Sequence, residues 1–109
     1  MEVASIDDPA LAEVVLRLAE AFHPVCIYLF GSRARGDVGP DSDYDLLVLV
    51  PDSATPEQRQ SRLAYRVLRG TGVAADVVVW TSRAFESRLH LRASLPSTVL
   101  REGKLLYAG

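Results

Sequence analysis

The sequence predicts an α/β (α+β) domain, a small mixed β-sheet of three to four strands packed with helices, spanning residues 1–109 as a single domain. Three observations predict it. Short apolar runs rich in β-branched or aromatic residues recur at Val25–Phe30, Tyr44–Val50 and Val77–Trp80. Segments with apolar residues at helical spacing alternate with them. Pro, Gly and capping residues punctuate the boundaries, and no repeat, low-complexity tract or interdomain linker interrupts the order.

Asp8-Pro9 reads as an N-cap followed by proline at the first helical position. Leu11, Val14, Val15, Leu18 and Phe22 then form one apolar face, and Pro24 ends the helix. VCIYLF from Val25 is a buried strand. The stretch Ser32–Ser42 is the longest irregular piece, and a loop of that length in a small domain is usually functional. YDLLVLV from Tyr44 is the second strand, stopped by Pro51. Thr55-Pro56-Glu57-Gln58 has the form of a capping box, so a helix is expected from there to about Arg69, ended by Gly70 and Gly72. The third strand, Val77–Trp80, follows Ala74, Ala75 and Asp76. A helix from about Ser82 to Leu91, an interruption at Pro96, a short helix to about Arg101 and a closing strand at Lys104–Tyr107 complete the order α-β-β-α-β-α-α-β.

Composition narrows the function. The chain is 49% hydrophobic and 24% charged, with net charge −2, so stable nucleic-acid binding through a basic surface is not expected. The one cysteine, Cys26, offers neither an internal disulfide nor a zinc pattern and reads as a buried strand residue. The acidic N-terminus lacks a signal peptide, and no apolar segment reaches the ~20 residues of a membrane span, so a cytoplasmic protein is expected.

The stretch FGSRARGDVGPDSDYDLLVLV carries the chemistry. Residues i and i+2 of a strand point to one face, so Asp43 and Asp45 project side by side with Tyr44 opposite. Two like charges that close raise each other's pKa unless a cation lies between them. Magnesium fits, because it takes carboxylate oxygens together with substrate phosphates and water. Gly31 permits a sharp turn and close backbone approach, and Ser32 is placed to cap a following short helical turn and hold phosphate oxygens. Arg33 and Arg35 add forked cationic donors nearby. Asp76 opens the third strand and faces the pair if that strand neighbours the second; a further carboxylate can bind a second metal or take a proton from an attacking hydroxyl. A phosphate cradle beside a metal pair suits phosphoryl or nucleotidyl transfer.

With Gly31-Ser32, a loop, and Asp43-Tyr44-Asp45-Leu46, the string GSRARGD…SDYDLLV resembles the signature of the polymerase-beta-type nucleotidyltransferase superfamily, and within it the minimal nucleotidyltransferases, whose chain ends resemble EGKLLY here. The resemblance covers nearly the whole chain and implies a palm-like fold. It implies that Gly31 and Ser32 hold the triphosphate of ATP, that Asp43 and Asp45 bind nucleotide and Mg2+ (two ions), that Asp76 is the third catalytic and metal-binding carboxylate, and that Arg33 and Arg35 touch phosphate or a partner. It also implies a partner, a helical HEPN-type toxin, with the nucleotidyltransferase as antitoxin adenylylating a toxin tyrosine.

Two other functions stand beside this one: an antitoxin that neutralises by binding alone, and nucleotidyl transfer to a small molecule such as an aminoglycoside. The small size of the domain disfavours the latter and leads us to expect that an acceptor protein, or a homodimer, completes the site. Gly39-Pro40-Asp41-Ser42 also reads as an ordinary turn. His23, at a helix end, and His90 read as surface histidines, and Tyr28 and Trp80 as core or interface. Arg59, Arg62, Arg66 and Arg69 recur at helical spacing as a solvated face, one that could meet an acidic partner.

Overall fold

A computed structural model of the chain describes residues 2–3, 6–36 and 43–109. The elements in order are β1 (Glu2–Val3), α1 (Pro9–Phe22), β2 (Cys26–Phe30), α2 (Gly31–Arg35), β3 (Tyr44–Val50), a 3₁₀ turn (Glu57–Arg59), α3 (Ser61–Val67), β4 (Ala75–Thr81), α4 (Ser82–Arg88), α5 (Leu95–Glu102) and β5 (Lys104–Ala108). The strands form one mixed sheet in the order β1-β5-β2-β3-β4. Among the described residues only β3 and β4 run parallel; the other neighbours are antiparallel.

Alternation along the strands sends side chains to two cores. Ile27 and Leu29 of β2, Leu46, Val48 and Val50 of β3 and Val77 of β4 meet Leu11, Val14, Val15, Leu18 and Phe22 of α1 and Leu63 and Ala64 of α3. On the other face, Cys26, Leu47 and Leu49 meet Phe85 of α4 and Val99 of α5, with Tyr28 and Trp80 packed against them. Strand β3 is therefore covered on both faces, which is why YDLLVLV is a near-continuous apolar run and not an alternating one. Burial raises the pKa of the Cys26 thiol, as suits a core residue.

Asp8 caps α1 as expected, its carboxylate accepting from the Ala10 and Leu11 N–H groups at 3.0 and 3.4 Å. The capping box also forms: the Thr55 N–H donates to Gln58 Oε1 and the Gln58 N–H to Thr55 Oγ1, both at 3.2 Å. The helix expected after it does not run unbroken. A 3₁₀ turn comes first, Gln60 is extended at φ −113°, and α3 starts only at Ser61. The Arg59 guanidinium folds back onto the Ala54 and Asp52 carbonyls at 3.0 and 2.6 Å, tying the turn to the loop before it.

The expected strands are all present, and among the described residues two more near the N-terminus add a short fifth by pairing with β5; a strand that short has no periodicity to read. Two further expectations change. Pro96 lies in the first turn of α5, which Leu95 opens behind the Ser94 cap, and does not interrupt the chain before that helix. The start of the presumed irregular loop is the helix α2, with Phe30 at its N-cap position, so Ser32 lies inside the helix and does not cap it. Gly39-Pro40-Asp41-Ser42 lies outside the described residues.

Candidate active site

The site sits at the end of the sheet where β2 stops and β3 and β4 begin. Parallel pairing places Asp45 in register with Asp76, and antiparallel pairing places Asp45 opposite Phe30. Residues in register share a face, so the Asp45 and Asp76 carboxyls project together from neighbouring strands. Asp43, one residue ahead of β3, is exposed, as is Asp76, while Asp45 is half-buried. Burial raises the Asp45 pKa, the nearby Asp76 and Asp43 charges raise it further, and Arg35 works against them. The structure thus brings together the three acids singled out in the sequence.

Gly31 belongs to the same arrangement. It leaves β2 at φ +75°, a conformation that favours glycine, and a Cβ placed on it would come within 3.0 Å of Asp45 Cγ. The missing side chain makes room for the Asp45 carboxyl. Ser32 follows, in the first turn of α2, where backbone N–H groups have no partner within the helix.

The two arginines part company. Arg35 lies near enough to Asp45 to lower its pKa. The Arg33 guanidinium lies 4.1 Å from the centroid of the Tyr44 ring, on the opposite face of β3 from Asp45. The Tyr44 hydroxyl donates to Asp8 Oδ2, which holds the Asp8 carboxyl below the usual range and pushes the Tyr44 phenol up. Asp8, Tyr44 and Arg33 thus join the N-terminus of α1 to α2. Sequence reasoning missed this tie, although Tyr44 held the alternate position between the two acids.

Among the described residues, no group of three His, Cys, Asp or Glu side chains is already arranged to enclose a metal ion. The donor chemistry nonetheless fits a hard cation. The three groups are all carboxylates, and burial and its two neighbours raise the pKa of the half-buried Asp45, which a bound cation would offset.

Residues 11–106 match the family model of the nucleotidyltransferase domain. The chain belongs to that family. Its fold resembles a structure from Sulfolobus solfataricus described as a nucleotidyltransferase, with TM-score 0.60 and 24% identity over 91% of this chain and 78% of that one. This nucleotidyltransferase also resembles a chain of a toxin–antitoxin complex solved with AMP-PNP, with TM-score 0.59 and 28% identity over 89% and 73% of the two chains. A chain from the complex of tri-AMPylated Shewanella oneidensis HEPN toxin with MNT antitoxin matches at TM-score 0.56 and 23% identity over 92% and 71%. At that identity the first and third are likenesses of fold. No curated protein matches the chain. Among the described residues, no helix is long and apolar enough to cross a membrane.

Proposed function

We propose that this nucleotidyltransferase uses Mg2+ and ATP to transfer AMP to a tyrosine of a HEPN-type toxin, and thereby acts as its antitoxin. The observation that carries the reading is the register of Asp45 with Asp76 across β3 and β4, with Asp43 beside them and Gly31 opening space at Asp45. The likeness to a toxin–antitoxin complex holding AMP-PNP supports both the nucleotide and the partner.

In this reading Gly31, Ser32 and the first turn of α2 bind the triphosphate, and Arg35 adds positive charge on the carboxylate side. Asp43, Asp45 and Asp76 would hold magnesium, which when bound supplies charge neutralisation at the phosphates. The tyrosine oxygen attacks the α-phosphorus of ATP. A phosphorus–oxygen bond to tyrosine forms, the bond to the β-phosphate bridging oxygen breaks, and pyrophosphate leaves. Asp76, at the exposed rim, accepts the phenol proton directly or through water. The acceptor protein excludes water from the reacting phosphate.

The test is transfer of label from α-labelled ATP to a HEPN-type partner protein, comparing wild type with Asp43→Asn, Asp45→Asn and with Asp76→Asn. Label on a partner tyrosine that the double variant abolishes, and that Asp76→Asn cuts by at least ~100-fold, is expected. Equal magnesium-independent binding of the partner by all forms, without label, would mean neutralisation by occlusion. No binding and no label would move the acceptor to a small molecule.

A further inference from the structure

We propose that the free edge of β4 is a docking surface for an extended, acidic segment of the acceptor protein, which pairs with β4 as an added strand and leads its hydroxyl to the carboxylates. The inference rests on the adenylyl-transfer reading above and adds how the acceptor is held.

Among the described residues β4 ends the sheet. In a parallel ladder alternate residues of a strand turn their N–H and C=O groups toward the neighbour, so the other half of β4 presents a row of donors and acceptors outward. Proteins usually blunt such edges with proline, charge or short length. This strand, ADVVVWT, has seven residues, no proline, and one charge, Asp76, near its start. A groove runs along it, with Val77–Trp80 as one wall and Arg59–Arg62 as the other. It continues past Thr81 to Arg83, with Arg59 lining both parts.

The chemistry of the groove selects the occupant. Arg59 donates to the Ala54 and Asp52 carbonyls and Arg62 to Gln60 Oε1 at 2.7 Å, so both guanidinium groups bond neutral oxygens and keep their charge. Among the described residues the one acid lining the groove, Asp52, accepts the Arg83 backbone N–H at 2.9 Å. A strand of acidic character is therefore favoured within a chain whose net charge is −2. Pairing of two copies edge to edge would instead set these arginines against their own counterparts. The groove begins one residue beyond Asp76, so a strand lying in it points its end at the site.

The probe is a fluorescent random copolymer of Glu and Tyr, with a Lys–Tyr copolymer as control, offered to the full chain at physiological ionic strength. Wild type is expected to bind the acidic copolymer, to bind the basic one at least tenfold more weakly, and to show slowed amide exchange across Val77–Trp80. The exposed double substitution Arg59→Glu, Arg62→Glu is expected to weaken copolymer binding at least tenfold and leave AMP-PNP binding unchanged. No binding by wild type, equal binding by the double variant, binding without protection of β4, or β4 already protected in a self-associated free protein would each overturn the proposal. Label transferred equally well to a HEPN-type partner by wild type and double variant would overturn the docking and leave the transfer reading intact. Arginine-dependent copolymer binding with protected β4, but no tyrosine ever labelled, would do the reverse.

Discussion

Burial and the carboxylates of Asp76 and Asp43 push the Asp45 pKa upward, so the charged form is disfavoured where the fold places it. In the unfolded chain the carboxyl titrates at its ordinary value. Between that value and the raised one the native state binds more protons, so this group's contribution to stability falls as pH rises, and above the raised value the loss is complete. Asp45→Asn should therefore raise the melting temperature at neutral pH without divalent cations, and the gain should vanish below the ordinary carboxylate range. A gain that is the same at every pH would refute the charge argument. Gly31 tests the same spot sterically. Gly31→Ala forces a Cβ against Asp45, whereas Gly36→Ala, at φ +83° with nothing within 4 Å among the described residues, brings backbone strain. Both should cost on the order of 1–2 kcal/mol in denaturant titrations for the left-handed backbone, with Gly31→Ala losing more and also losing AMP-PNP binding. At this scale much was legible. Gly31, Ser32, Asp43 and Asp45 are close in sequence, so spacing alone groups them. The division of Arg33 from Arg35 was not, because it depends on the turn of a five-residue helix inside what read as a loop.

Helix ends and their ties act one level up. The reciprocal bonds between Thr55 and Gln58 secure the 3₁₀ turn, and Thr55→Ala should cost about 1 kcal/mol by chemical denaturation. The Tyr44 hydroxyl is the largest influence holding the Asp8 pKa down. A depressed carboxyl contributes stability above its unfolded pKa, and that contribution is lost as pH falls through the folded value. Tyr44→Phe should therefore flatten the acid limb of the stability–pH curve, measured by thermal melts between neutral pH and pH values below the ordinary carboxylate range. An unchanged acid limb would mean that the tie contributes nothing. Caps were readable because their residue types and spacings are local. The break at Gln60 was not, since it follows from Arg59 reaching back to carbonyls five and seven residues away.

For the whole molecule, the decisive fact is that β3 is packed on both faces. Leu46 and Leu47 are adjacent in sequence and both fully buried, yet they enter different cores. Leu46→Ala and Leu47→Ala should each cost about 2–5 kcal/mol, read from denaturant midpoints. A small loss at Leu47 would mean that the α4–α5 core is loosely packed. The apolar run identified the strand, whereas its cover on both faces comes from the helices that the fold packs there. The strand order could not be read from the sequence, because β5 pairs with β2 across most of the chain and no local signal records a long-range partner.

The seat of β5 inside the sheet, between β1 and β2, also sets a timetable. During synthesis the residues Lys104–Ala108 appear after both β1 and β2, yet they supply the rib to which both are fastened. Until they arrive, β2 offers an open flank to whatever strand is nearby. A nascent chain stalled before Lys104 should thus stay sensitive to protease and in need of chaperone shelter, and only one in which Lys104–Ala108 have joined the sheet should harden into the catalytic shape.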